Sequence, residues 1–260
     1  TGRQILVHLN HPNFDLAITA EDLAAVVSQR FFEVYNGHPA VRHLGDRNHP
    51  SVERLWDIAN TIRLGQLNAA PLFGVATDDS HNYHGKPGSH TGRGWIQVRA
   101  RHLTPESLIR ALNRGDFYAS SGVTLRQVQY DAETRKLSLD IEPDGDATFT
   151  TSFIGTPRDY DATSQPRKDK NGQPIRSSRV YSADVGKQLA QVEGLQPTYT
   201  LGEAELYVRA VVTSSRAHRD PSFKGQRQQA WTQPVGWRDK LAPPPAVQPA
   251  ISAPPSSPRP

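Results

Sequence analysis

The pattern of the chain changes once, near Val123, and that change constrains the fold more than any single motif. From Gln4 to about Gly122 apolar strand-like runs alternate with amphipathic helical ones. ILVHLN (5–10) reads as a buried strand. TAEDLAAVVSQ follows, with Thr19 as N-cap and Asp22 three residues on, close to a capping box. FFEVYNG (31–37) is a second strand closed by an Asn-Gly turn. In SVERLWDIANTIRLGQ, Ser51 caps a helix whose Leu55, Ile58, Ala59 and Ile62 keep helical spacing. PLFGVATD and GWIQVRA are further strands. TPESLIRALNRG is a helix with Thr104 as cap, Pro105 in the first turn and Gly115 as its stop. Alternation of this kind predicts an α/β layer or barrel with mostly parallel strands over 1–122.

After Val123 helical periodicity disappears. LRQVQYD, KLSLDIE, ATFTTSFIG, ELYVRAVVTSS and AWTQPVGW are strand-like and separated by turn residues, which predicts a β-sandwich-like module over 123–238. A polar stretch, Thr156 to Ser178, reads as a long exposed loop within it. The segment 239–260 is dominated, from Ala242 on, by Pro, Ala and Ser and reads as a disordered Pro-rich tail.

Composition excludes several chemistries. The 260 residues contain no cysteine, so disulfides, thiolate catalysis and cysteine-based zinc sites are ruled out. Any metal has to be held by His, Asp and Glu. No apolar run reaches the ~18 residues that a membrane span needs. The net charge of +4 is scattered, with one denser patch at Arg167, Lys168 and Lys170 that reads as a solvated loop rather than a nucleic-acid surface. Thr1 opens a chain without methionine and reads as the start of a processed or partial sequence. Absent cysteine and a Pro-rich tail favour a secreted or periplasmic protein over a cytoplasmic one.

Chemistry concentrates in GVATDDSHNYHG (74–85). An apolar strand stops at two carboxylates, and Asp79 and His81 follow two apart, on one face of extended backbone. In α/β folds functional side chains gather where strands end. Asp-x-His is a weak signal alone, since an Asx-turn beside a surface imidazole looks the same. Two other strand ends strengthen it. LNHPN puts His11 directly after the first strand, and FFEVYNGHP puts Glu33 within the second with Asn36 and His38 at its end. Oxygen and nitrogen donors of this mix suit Zn, Mn or Fe. His8, three before His11, falls on the other strand face.

These stretches, with GRGWIQVRA, LTPESLIRALNRGDFYASSG, LYVRAVV and AWTQPVGW, resemble the PHP (polymerase and histidinol phosphatase) superfamily, and more narrowly a bacterial group of PHP phosphoesterases with a β-rich C-terminal region. The resemblance runs from Ile5 to about Trp237. It implies the C-terminal portion of a distorted (β/α)7 barrel. It also implies two or three divalent ions at strand ends that activate water for phosphoester hydrolysis. By the same resemblance His11, Asp79 and His81 are metal ligands, with Asp79 and His81 catalytic. Glu33, Asn36, His38, His84 and Arg93 line the substrate pocket, Arg93 as a phosphate contact, for which the alternative is a surface arginine. Asp78 is expected to stand behind the ligands or face solvent. Binding through neutral imidazole implies activity that falls in acid as His11 and His81 protonate. The superfamily's first two ligand motifs have no counterpart before Ile5, so the missing barrel strands are expected from upstream sequence, another segment or another subunit. A second class of function fits the same residues: a non-catalytic binding or structural protein in which a degenerate barrel is a scaffold and the β-module holds a partner or polymer.

Overall fold

A computed structural model describes residues 4–243. Among these are three α-helices and fourteen strands. In chain order they are β1 (His8–Leu9), α1 (Ala20–Ala25), β2 (Phe31–Asn36), α2 (Val52–Gly65), β3 (Phe73–Thr77), β4 (Trp95–Val98), α3 (Pro105–Arg114), β5 (Phe117–Ser120), β6 (Leu125–Asp131) and β7 (Lys136–Ile141). Then come β8 (Phe149–Pro157), β9 (Ser164–Gln165), β10 (Val180–Tyr181), β11 (Lys187–Glu193), β12 (Thr198–Thr200), β13 (Glu205–Ala217) and β14 (Arg227–Thr232).

The helices begin where their caps predict, but α1 stops at Ala25, short of the Gln29 to which its sequence pattern runs. Thr19 Oγ1 accepts from the Asp22 amide while the Asp22 carboxylate accepts from the Thr19 amide, a complete capping box. Ser51 and Thr104 cap α2 and α3 through their side chains. Gly115 closes α3 at φ 82°, a left-handed conformation where a Cβ would also meet the Phe73 ring at 2.9 Å.

Parallel pairing is confined to β1-β2-β3. Among the described residues 33% are strand and 15% helix, the sheets are open, and the expected (β/α)7 barrel portion over 1–122 does not form. The reason lies after β3. Residues 78–94 hold no helix, so no crossover returns the chain to start another parallel strand. β4 instead pairs antiparallel with β5 at the edge of a six-stranded sheet ordered β11-β8-β13-β14-β5-β4.

That sheet is the middle layer. Along β13, Val208, Ala210 and Val212 enter a core with Leu137, Leu139 and Ile141 of the three-stranded sheet β12-β7-β6. Val211, one residue out of phase, joins Trp56, Ile58 and Phe32 on the other face. The β-sandwich expectation for 123–238 fits the first of these packings loosely. Strands from both sides of residue 122 share the six-stranded sheet. A buried pair also crosses that boundary: Arg209 of β13 binds Asp57 of α2 through Nε (2.8 Å) and Nη2 (2.7 Å) and lies 4.6 Å from the Trp56 ring centroid. Of the expected tail, 239–243 is ordered, Ala242 N donating to Asn68 Oδ1 at 2.7 Å, and the rest lies outside the described residues. No helix among the described residues is long and apolar enough to cross a membrane.

Candidate functional site

The C-terminal ends of β1, β2 and β3 form one rim, and a buried carboxylate ties them together. Glu33, 3% exposed, accepts from His11 N (2.6 Å), Asn36 Nδ2 (2.7 Å) and Thr77 Oγ1 (2.7 Å), one donor from each strand end. A one-residue bulge at Val34 sets this up: Glu33 pairs with Val75, but Tyr35 pairs with Ala76. Asn36 extends the network. Its Nδ2 also donates to Asp79 Oδ2 (3.1 Å), and its Oδ1 accepts from His38 N (2.8 Å). Glu33 and Asn36 are thus occupied in positioning the rim rather than free for substrate.

Two rim residues carry unusual backbone. His11 has φ 28° and Asp79 φ 47°, in the region that favours glycine. Strained residues of this kind persist where the surroundings hold them, and they concentrate at functional sites. Here the Glu33 and Asn36 bonds do the holding.

Above the network the imidazoles adjoin. The His38 and His81 rings meet edge to face with centroids 5.7 Å apart. Phe14 links His38 (6.4 Å) to His11 (5.2 Å). Hydrogen bonds fix opposite tautomers in the first pair. His81 Nδ1 lies 2.7 Å from the Asp79 carbonyl, which only accepts, so Nδ1 carries the proton and Nε2 is left with a lone pair. His38 Nδ1 accepts from Ala40 N (3.1 Å), so its proton sits on Nε2. The Asp79 carboxylate is 3.5 Å from His81 Nδ1, and the His81 side chain is 65% exposed. His84, at φ 57°, makes no hydrogen bond or ring contact with this group among the described residues.

Arg93 is placed differently from its expectation as a phosphate contact. It is 4% exposed and fully engaged: Nε and Nη2 on Asp220 (2.8 and 2.7 Å) and Nη1 on the Gly37 carbonyl (2.8 Å). Asp78 neither backs the ligands nor faces solvent alone. Its carboxylate accepts from the amides of Gly92, Arg93 and Gly94 (3.0, 2.7 and 2.9 Å) and fixes the GRG loop. Sequence reasoning missed Ser89, His90 and Asp220. Ser89, fully buried, pins the loop by donating to the Asp79 carbonyl (2.7 Å). The flanking glycines of HTGRG were the available signal, since successive amides turned to one anion need such backbone freedom.

Among the described residues no group of three or more His, Asp or Glu side chains is arranged to hold a metal ion. Asp79 and His81 adjoin, but the His11 imidazole reaches them through the rings of Phe14 and His38, and its backbone through Glu33 and Asn36. The described residues do not by themselves make the expected two- or three-ion centre of Zn, Mn or Fe, and the expected barrel portion is corrected to open sheets. The chemistry these residues can offer is that of their own side chains. No family model, curated protein or solved structure matches the chain. The likeness to the PHP superfamily rests on its quoted motifs.

Proposed function

We propose that the strand-end rim is a phosphoester-hydrolysing site worked by the His81–His38 pair. The supporting observation is a pair of adjoining rings, centroids 5.7 Å apart, whose Nδ1 hydrogen bonds call for complementary tautomers, with the proton on Nδ1 in His81 and on Nε2 in His38. His81 Nε2 takes a proton from water as it attacks phosphorus. His38 Nε2–H donates to a phosphoryl or leaving-group oxygen. Asp79, through its carbonyl and carboxylate, keeps His81 in the reactive tautomer and steadies the imidazolium that forms.

The test is release of nitrophenol from aryl phosphate mono- and diesters, with chelator and with added Zn²⁺ or Mn²⁺. His81→Gln is expected to lower turnover about 10²-fold, the scale of a lost general base. His38→Gln is expected to fall similarly. No release by the unaltered protein under any of these conditions overturns the reading.

A second reading, a non-catalytic binding or structural protein, is favoured by one observation. Glu33, Asn36 and Arg93, the polar groups nearest the rim, are all spent on internal bonds.

A further inference from the structure

At the far end of the parallel strands from the rim, α3 and the loop before it line an open, solvent-exposed polar cavity of about 450 Å³. Its lining is Arg101, His102, Ser107, Arg110 and Arg114. Its position follows from contacts at the C-terminus of α3. Arg30, just before β2, donates to the Asn113 carbonyl (3.3 Å), and Gly115 abuts Phe73, the first residue of β3. The rim lies where those strands finish, so the two places are separated by the length of the sheet.

The lining holds no carboxylate and no apolar side chain. Every member is a hydrogen-bond donor, and three carry permanent charge. Among the described residues Asp116 alone pairs with one of the arginines, binding Arg114 at 2.6 Å. Arg101 and Arg110 make no ion pair. Repulsion among them is increased by Arg238, whose Nη2 sits on the Arg114 carbonyl at 3.2 Å. With Asp116 balancing Arg114 alone, the cavity keeps the net positive charge of Arg101 and Arg110, which raises the local concentration of anions. Arg110 and Arg114 are one helical turn apart, with roughly 6 Å between Cβ atoms, and Arg101 lies on the loop before the helix. The Arg114 fork is engaged, Nε and Nη2 both lying on Asp116 Oδ2 (2.7 and 2.6 Å), so Arg101 and Arg110 are the guanidinium groups open to an anion. The volume falls in the range of small-molecule sites and exceeds what one phosphate fills.

We infer that this cavity binds a compact diphosphate group. Arg101 and Arg110 each take one phosphoryl group in two-point geometry. His102 closes on the bridging side, Ser107 Oγ adds a neutral donor, and Arg114, whose Nε and Nη2 are held by Asp116, contributes field rather than a fork. The inference stands apart from the reading of the rim, and its readout is binding, not turnover.

The experiment is titration calorimetry of the whole chain with inorganic pyrophosphate. Saturable one-to-one binding is expected, weakened about tenfold or more by Arg101→Ala/Arg110→Ala and steeply by added salt. All four substituted positions are exposed, so the variants should keep the fold, which circular dichroism checks. Lys168→Ala/Lys170→Ala removes the same charge from a different surface loop and is expected to leave affinity within twofold. No saturable heat overturns the inference. So does equal weakening by the two double variants, which would mark a general charge effect. Orthophosphate binding as tightly as pyrophosphate also overturns the assignment to a diphosphate.

Discussion

Asp220 and His90 are joined at 2.8 Å through Oδ2 and Nδ1, while His90 Nε2 lies 2.7 Å from the Lys86 carbonyl. Both partners are pure acceptors, so keeping both bonds requires a proton on each ring nitrogen. The backbone bond to Lys86 and the carboxylate of Asp220 accordingly raise the His90 pKa above its ordinary value, against a smaller opposing effect of Arg93. A pKa raised on folding stabilises below the unfolded value and is lost as pH climbs through the folded one. The His81–His90 loop should therefore be tethered near pH 6 and loosen in mild alkali. Amide exchange of Asn82 to Ser89 is expected to quicken over that interval, and His90→Gln to abolish the pH step. A His90 titration midpoint below 6.5 by NMR would sink this.

Asp220 holds the same loop from the other side. The two-point bond from Arg93, with help from His90, brings its carboxyl down to about 2. Asp220→Asn leaves a nearly buried guanidinium without its anion. Because the Asp220 side chain is 44% exposed, solvent screens part of the loss, and a cost of about 2 kcal/mol is expected. Urea unfolding measures it. Arg93→Lys should cost at least as much, since an ammonium cannot reach Asp220 at two points and the Gly37 carbonyl together.

His43 gives the molecule a different acid response. Its ring is buried, stacked on Tyr35 with centroids 5.0 Å apart, and its Nε2 donates to the Asn36 carbonyl at 2.6 Å. Burial pushes its pKa down to about 4. The unfolded chain takes up this proton below about 6.5 while the folded one does not, so stability is full above 6.5 and falls toward pH 4. The decline should amount to about 3 kcal/mol from this residue. His43→Phe keeps a stacked ring and removes the titration. Its urea midpoint should decline less between pH 6.5 and 4.5 than that of the unaltered protein, and an unchanged slope would refute the assignment.

Local signals in the sequence carried far. Thr19, Ser51, Thr104 and Gly115 marked helix ends because capping chemistry lies within four residues of the end it serves. The convergence of His11, Glu33, Asn36, His38 and Asp79 was legible because parallel strands deliver consecutive ends to one rim. Strand direction was not legible at β4 and β5. An apolar run of four residues looks the same in either sense, and what turned β4 was the lack of a helix between Asp78 and Gly94. Arg93 was misjudged for another reason. Its partner Asp220 lies 127 residues away, and only a folded chain shows that the guanidinium is already used. His84 has the spacing of a site residue, but among the described residues it makes no hydrogen bond or ring contact with the group.

Glu33 offers the sharpest test of how the rim is held. Its two oxygens serve three donors, but the donors are not alike. His11 N–H and Asn36 Nδ2–H meet Oε2, and neither can reverse. Thr77 Oγ1 meets Oε1 and can rotate to accept instead. Glu33→Gln therefore has a workable arrangement, with its oxygen on the first pair and its amide donating to Thr77. It should cost about 1 kcal/mol. Glu33→Ala strands buried donors and opens space, and should cost about 3 kcal/mol or more. In a Thr77→Val background the hydroxyl that rescues glutamine is gone, so Glu33→Gln should become markedly worse there than alone. Equilibrium unfolding of the four proteins in this cycle gives the coupling directly. Additive costs would mean that Thr77 does not reverse. The His11 amide proton, held by the carboxylate, should at the same time shift upfield in Glu33→Ala, reporting release of the backbone that places the imidazole.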